Sequence, residues 1–83
     1  MILGFNNSFP TICKGSYTAP QAMSIQMILY DLGYMSYDDI DGKFGGWTET
    51  CVMNFQRDHK LLADGIVGEN TWVELCKEWF IRD

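Results

Sequence analysis

The sequence predicts an all-α protein, a compact three-helix fold with two Asp-Gly loop repeats. Three observations predict it. Apolar residues recur at helical spacing in three segments, glycine-containing turns separate these segments, and little of the 83-residue chain remains for strands. A chain of this length can bury one modest core, so a single domain is expected.

The first predicted helix begins at a capping-box pattern. Thr18 is the predicted cap, with Pro20 in the first turn and Gln21 at the reciprocal position. The apolar stripe that follows comprises Ala22, Ile25, Leu29 and Leu32. Gly33 is expected to end the helix, because glycine adopts the left-handed conformation of a helix cap without steric cost.

Two loops of the chain share one pattern. Residues 41–48 read DGKFGGWT and residues 64–71 read DGIVGENT, an offset of 23 positions. Each Asp-Gly pair predicts a tight turn. Phe44 and Val67 are expected to point into the core, and the final threonine of each copy is expected to bond amides of the first helical turn. A brief strand pairing is predicted between 43–44 and 66–67.

A helix is predicted after each loop, over about 46–59 and about 69–80. The apolar stripe of the earlier helix comprises Cys51, Val52 and Phe55, and its other faces carry Glu49, Asn54, Gln56 and Arg57. The stripe of the later helix comprises Trp72, Leu75, Cys76, Trp79 and Phe80. Phe44, Phe55 and Trp72 are predicted core residues.

Composition excludes several kinds of partner. The net charge is −5, from eleven acidic and six basic residues, and no Lys/Arg cluster is present to bind phosphates or lipid headgroups. Nucleic acid and membranes are therefore not expected as partners. The three cysteines have no CxxC spacing and form an odd set, so reduced, mostly buried thiols are predicted and not a zinc site.

Taken in order, these motifs resemble the peptidoglycan-binding domain that accompanies catalytic domains in many bacterial and phage cell-wall hydrolases. The similarity covers about residues 10–76. It includes 10–16, 25–26, 29 and 32–34, both Asp-Gly loops, 55–56, and 71–72 with Leu75. On this basis residues 10–83 are expected to form the domain, with residues 1–9 as an N-terminal extension.

The resemblance implies a non-catalytic module that binds peptidoglycan, through its glycan or its stem peptide, and anchors or targets a cell-wall hydrolase. It implies no metal and no cofactor. The first residues lack the basic segment of a signal peptide. Synthesis in the cytoplasm is therefore expected, with action at the cell wall after release or when attached to a hydrolase.

Five residues are predicted to contact the ligand. Sugar rings present apolar C–H faces that pack well on tyrosine and tryptophan. The aromatic candidates are Tyr34, Tyr37 and Trp47, and Trp47 is expected to be at least half exposed because it occupies a variable position of the loop pattern. Arg57 and Asp58 end the second helix and offer charged groups for a stem peptide.

Catalytic and calcium-binding interpretations are weaker. Asp39, Asp41 and Gly42 match part of an EF-hand loop, but no bidentate glutamate follows at the twelfth position. Cys51 and His59 lie about 12 Å apart along one helix, too far for a nucleophile and its base. The carboxylates fall mostly in turns and on wet helix faces, so paired glycosidase acids are not predicted.

An alternative function is a small phage-type or cytosolic factor that reuses the fold to bind or inhibit a host protein. Such an interface usually needs a contiguous apolar patch. The residues available for it are Phe5, Phe9, Trp79, Phe80 and Ile81.

Overall fold

Three helices of equal length form the protein. They are α1 (Ala19–Asp31), α2 (Gly46–Asp58) and α3 (Glu69–Ile81), and a single 3₁₀ turn (Tyr37–Asp39) lies between α1 and α2. The structure, a computed structural model, describes residues 11–15 and 19–81, the side chains of residues 19 and 81 excepted. The all-α prediction and the three helices are confirmed; the predicted cap at Thr18 lies outside the described residues.

One core joins the three helices. Its buried apolar residues are Ile12, Ala22, Ile25, Ile28, Leu29, Met35, Phe44, Cys51, Val52, Phe55, Val67, Trp72 and Leu75. The predicted core positions of Phe44, Phe55 and Trp72 are confirmed, with exposed fractions of 2%, 0% and 6%. Phe80 departs from the predicted stripe, because it is 75% exposed at the end of α3. None of the described helices is long and apolar enough to cross a membrane.

The end of α1 and both Asp-Gly turns use glycine in the left-handed conformation. Gly33 has a φ of +93°, and the backbone N–H of Tyr34 donates to the carbonyl of Leu29 at 2.8 Å, which is the bond of a Schellman cap. Gly42 and Gly65 have φ angles of +78° and +74°. The predicted roles of these glycines are confirmed.

The N-terminal segment, residues 11–15, pairs with both loops. Ile12 and Val67 form an antiparallel bridge, with N to O distances of 3.1 and 2.8 Å in its two hydrogen bonds. The N–H of Gly15 donates to the carbonyl of Phe44 at 2.9 Å. The predicted pairing of 43–44 with 66–67 is wrong. Within the described residues, the N-terminal segment bonds with the backbone groups that this pairing would have used.

Candidate functional site

The first Asp-Gly loop closes around a buried glutamine of α1. Gln26 is 0% exposed, and its Oε1 accepts from the N–H groups of Asp41 and Gly42 at 3.0 and 2.8 Å. Its Nε2 donates toward Asp41 Oδ1, the Lys43 carbonyl and Thr48 Oγ1, at 3.0 to 3.1 Å. The pKa of the Asp41 carboxyl is lowered, first by the backbone N–H of Lys43 and then by the amide of Gln26. One amide group therefore holds the whole turn.

The second loop repeats this arrangement around a glutamine of α2. Gln56 is 0% exposed, its Oε1 accepts from the N–H of Gly65 at 2.9 Å, and its Nε2 donates toward Asp64, Ile66 and Thr71 at 3.0 to 3.1 Å. Gln56 was predicted to lie on a face other than the apolar stripe, and it is nonetheless fully buried. The loop folds back over the end of α2 and buries the amide among backbone groups that need partners.

The threonines of the two loops do not cap helices as predicted. Thr48 and Thr71 each lie third in their helix, and their hydroxyl oxygens accept from Gln26 and Gln56. Gly45 holds the cap position of α2 and makes no side-chain cap bond. A residue inside the first turn cannot reach the amides that a cap residue reaches, so each threonine fastens its loop to the preceding helix.

A shallow depression lies beside each loop, and the two depressions are built from equivalent residues. The first has a volume of about 390 Å³ and is lined by Asp38, Asp39, Asp41, Lys43, Gly45, Gly46, Trp47 and Thr48. The second has a volume of about 230 Å³ and is lined by Leu61, Leu62, Asp64, Ile66, Gly68, Glu69, Asn70 and Thr71. Every position in the second set is 23 residues after one in the first, the offset of the loop repeat.

Trp47 stands at the first depression with its ring accessible. It is 55% exposed, which confirms the predicted exposure. Its indole N–H donates to Asp39 Oδ2 at 2.9 Å. That bond connects the start of α2 to the 3₁₀ turn, so the large apolar face is held in a defined position beside carboxylates and a lysine.

Tyr37 lies in the 3₁₀ turn that Trp47 contacts. It is 70% exposed, and its ring packs edge-on against Tyr30 with centroids 5.6 Å apart. Tyr37 also borders a further depression of about 250 Å³ with Met23 and Ile40. Trp47 and Tyr37 therefore belong to one exposed aromatic region around the 3₁₀ turn.

The other three predicted ligand contacts lie at the far end of α2. The hydroxyl of Tyr34 donates to Asp58 Oδ2 at 2.7 Å, and Arg57 donates to Asn54 at 2.9 Å. Burial, followed by the hydrogen bond to Asp58, raises the pKa of Tyr34 to about 12. Asp58 is eleven residues after Trp47, about 16 Å along the helix. The five predicted residues thus form two groups, and the first depression contains only Trp47 among them.

Comparison with known proteins identifies the family. The family model described as "Putative peptidoglycan binding domain" matches residues 18–75, which is more than half of the chain. The chain belongs to this family. The resemblance predicted from the sequence motifs is confirmed, and the peptidoglycan-binding domain includes both loops, both glutamines and both depressions.

The chain is also similar to curated proteins and to a solved structure. A protein in the bpoA1 3' region of Kitasatospora aureofaciens is 37% identical over 73 residues, which make up 87% of this chain and 60% of that protein. The N-acetylmuramoyl-L-alanine amidase CwlM of Mycobacterium tuberculosis is 42% identical over 48 residues, 58% of this chain and 12% of the amidase. The chain therefore spans less than two thirds of the length of either relative.

The structural relative is a peptidoglycan-binding protein from Clostridioides difficile, crystallised in complex with glutamine hydroxamate. It superposes with a TM-score of 0.73 at 38% sequence identity, over 80% of this chain and 40% of that chain. The fold of this peptidoglycan-binding domain is thus shared with a solved peptidoglycan-binding protein.

Cys51, Cys76 and His59 pack in or against the core. Of the three thiols, predicted to be mostly buried, Cys51 is buried and Cys13 and Cys76 are half-buried. Cys51 is fully buried, and its pKa is raised by burial and then by the charge of Asp39; burial also raises the pKa of Cys76. His59 stacks on Phe55 with centroids 4.2 Å apart. A raised thiol pKa disfavours the reactive thiolate, so these groups do not resemble a nucleophile with its base.

His59 also meets carboxylates of α3. Its Nδ1 lies 3.2 Å from Glu74 Oε2, and His59, Glu74 and Glu78 have ligand atoms within 4.8 Å of one another. The group is chemically able to hold a divalent cation. The contact between His59 and Glu74 already has a structural role, because it ties the end of α2 to the middle of α3.

The structure describes only part of the apolar patch that was predicted as an alternative protein-binding surface. Phe5 and Phe9 and the side chain of Ile81 lie outside the described residues. Trp79 and Phe80 are 37% and 75% exposed, and their ring centroids are 5.6 Å apart. Trp79 donates to Asp31 at 2.7 Å, so its polar edge is engaged with the end of α1.

The second depression was missed by sequence reasoning. None of its lining residues was among the predicted contacts, although the offset of 23 that relates the loops also locates it. Aromatic content directed attention to the first loop, since Asn70 stands where Trp47 stands.

Proposed function

We propose that the chain is a non-catalytic module that binds peptidoglycan at the first depression, with Trp47 stacking on a sugar ring or peptide group. The single observation that carries the proposal is the position of Trp47. Its ring is 55% exposed at the depression and is oriented by the bond to Asp39. A ring that is already held in place loses little conformational freedom on binding.

Polar groups beside Trp47 complement a sugar. Asp38, Asp41 and Lys43 line the same depression and lie exposed. Carboxylates accept hydrogen bonds from hydroxyl and amide groups, and the lysine donates to carbonyl oxygens. An apolar platform with a polar rim is the pattern by which an aromatic side chain holds a saccharide.

The shallow form of the depression supports a weak, non-catalytic interaction. Small-molecule sites with high affinity enclose most of their ligand, whereas this one is open along the loop. A weak module is useful when linked to another unit, because attachment raises the effective concentration of that unit at the wall. The domain would act at the cell wall in this way, as part of a hydrolase or beside one.

The test is sedimentation of the reduced protein with insoluble peptidoglycan. We compare the parent with Trp47→Ala and with Phe80→Ala, a control that removes another exposed aromatic ring, one that lines neither depression. The parent and the control are expected to be retained. Trp47→Ala is expected to lose about tenfold in retention, because removal of a stacked ring costs about 1.4 kcal/mol.

Two outcomes contradict the proposal. Absence of parent retention rejects wall binding under these conditions and favours a protein partner. Equal retention of Trp47→Ala and the parent moves the binding site away from the first depression. Circular dichroism of each variant checks that the helices are unchanged.

A further inference from the structure

The second depression shares the framework of the first but differs in its chemistry. Asp64 keeps the place of Asp41, and Gln56 holds its loop as Gln26 holds the other. The position of Trp47 is taken by Asn70, and that of Lys43 by Ile66. The scaffold is therefore duplicated, while the groups offered to a ligand have changed.

We propose that this second depression is a subsite for the peptide part of the ligand whose sugar part lies on Trp47. This rests on the proposed function, since it assumes that the first depression binds the wall polymer. The class of group that it takes is a short peptide with small aliphatic side chains and a free amine.

Exposed aliphatic side chains carry the first part of the argument. Leu62 is 79% exposed and Ile66 is 42% exposed, and both line the depression with Leu61. Methyl groups of a peptide would bury apolar surface against them. No aromatic ring lines this depression within the described residues, so it offers no platform for stacking a sugar.

Polar groups carry the second part. Asp64 and Glu69 place carboxylates at the same depression, and Asn70 places a side-chain amide there. Carboxylates accept from peptide N–H groups and from an amine, and an amide both donates to and accepts from a peptide bond. Together with the aliphatic side chains, these polar groups suit a peptide that carries small apolar side chains.

The two loops that carry the depressions lie close to each other. The N-terminal segment bonds to Val67 through Ile12 and to Phe44 through Gly15, at 3.1 and 2.9 Å. Three residues of extended chain span at most about 11 Å, so these two carbonyl oxygens lie within about 17 Å of each other. A Cβ on Gly65 would meet Glu49 Cγ at 2.6 Å, so the second loop also touches the first turn of α2.

Two linked weak contacts bind more tightly than either alone. When the sugar part is held, the attached peptide stays at high effective concentration near the second depression. Loss of either contact therefore weakens binding to the complete polymer, while only the sugar contact matters for a polymer from which the peptides have been removed.

The experiment uses two ligands coupled to beads, fragments of intact peptidoglycan and the glycan strands that remain after amidase digestion has removed the peptides. The variants are Leu62→Asn, Trp47→Ala and the control Val73→Asn, which makes a similar change at an exposed position of α3 outside both depressions. Leu62 is largely exposed, so its replacement leaves the core intact; thermal unfolding of each variant verifies this.

Leu62→Asn is expected to lower retention on intact peptidoglycan about fivefold to tenfold, in line with the loss of a buried aliphatic contact. It is expected to leave retention on the peptide-free glycan unchanged. Trp47→Ala lowers retention on both ligands, and Val73→Asn on neither.

The outcomes separate the two proposals. Parent retention on intact peptidoglycan with no effect of Leu62→Asn overturns the second subsite and leaves the proposed function standing. An equal loss on both ligands also overturns it, because the contact would then be to sugar. Parent retention on neither ligand rejects the proposed function itself.

Discussion

The conformation of each loop depends on one amide side chain. Gln26 and Gln56 are fully buried, and together they make bonds to both Asp-Gly turns and to the threonine that follows each turn. Within the described residues no buried side-chain nitrogen or oxygen lacks a partner. Since a buried polar group without a partner is costly, these glutamines cannot be exchanged for apolar residues of similar size without loss of stability.

Gln56→Leu is expected to lower the free energy of unfolding by about 3 kcal/mol, because the N–H of Gly65 and the carboxylate of Asp64 lose buried partners. Urea denaturation measures the change. Gln21→Leu serves as the matched control, since Gln21 is only half-buried on α1, and a change below about 1 kcal/mol is expected there. Equal effects of the two substitutions would contradict the role of Gln56.

Tyr34 gives the protein a pH dependence at the alkaline end. Its pKa is raised from 10.0 to about 12, first by burial and then by the bond to Asp58. Because the folded pKa lies above the unfolded one, this contribution to stability is fully present below pH 10. It is lost as the pH rises through about 12.

Tyrosinate absorbance of the folded protein is therefore expected to show a step near pH 12 that Tyr34→Phe removes. Asp58→Asn is expected to shift the step to lower pH only partly, since burial of the ring remains. Titration of the parent and both variants measures this. Persistence of the step in Tyr34→Phe would assign it to another group.

Single residues differ in how well the sequence predicted them. Exposure of Trp47 followed from its variable place in the loop pattern, and burial of Phe55 followed from helical spacing. The function of the glutamines did not follow, because Gln26 precedes its Asp-Gly turn by 15 residues and Gln56 by 8. A search at a fixed offset of 23 finds the loops and misses the amides that hold them.

At the scale of elements, the ends of α1 and α2 use the same cap with different residues. Lys60 has a φ of +61°, and the N–H of Leu61 donates to the carbonyl of Gln56 at 2.8 Å, as Tyr34 does to Leu29 after Gly33. A lysine in this conformation is strained by its Cβ. The conformation of Lys60 therefore destabilises the end of α2, whereas Gly33 adopts the same kind of conformation without strain at the end of α1.

Lys60→Gly is expected to raise the free energy of unfolding by about 0.5 to 1 kcal/mol, the strain relieved less the added entropy of the unfolded chain. The reverse comparison, Gly33→Ala, is expected to lower it by about 1 kcal/mol. Thermal unfolding at matched pH measures both. A destabilised Lys60→Gly would mean that the lysine stem contributes packing that outweighs its backbone strain.

Helices were predicted well because their signals are local. The bounds of α2 and α3 agree with the predicted ranges to within a residue at each end. Strand pairing was predicted wrongly, because Val67 pairs with Ile12, which lies 55 residues earlier in the sequence. Neither the spacing of apolar residues nor the loop pattern contains information about a partner so distant.

The whole molecule extends further toward the N-terminus than its family match. The matched region is 18–75, yet Ile12 is 2% exposed in the core and bridges to Val67. Gly15 bonds to Phe44, the residue equivalent to Val67 in the other loop. The N-terminal segment thus fixes both loops against each other, and through them the relative placement of the two depressions.

Ile12→Ala is expected to lower the free energy of unfolding by about 2 to 4 kcal/mol, since it removes a fully buried aliphatic side chain next to both loops. Lys14→Ala, at an exposed position of the same segment, is expected to change it by less than about 0.5 kcal/mol. Urea denaturation of both variants, beside a chain that begins at residue 16, measures the contribution of the segment. If the shortened chain equals the parent in stability, the N-terminal segment is not part of the domain, which then begins near the start of the family match at residue 18. If it is destabilised at least as much as Ile12→Ala, the segment is part of the domain, as the predicted domain of residues 10–83 requires.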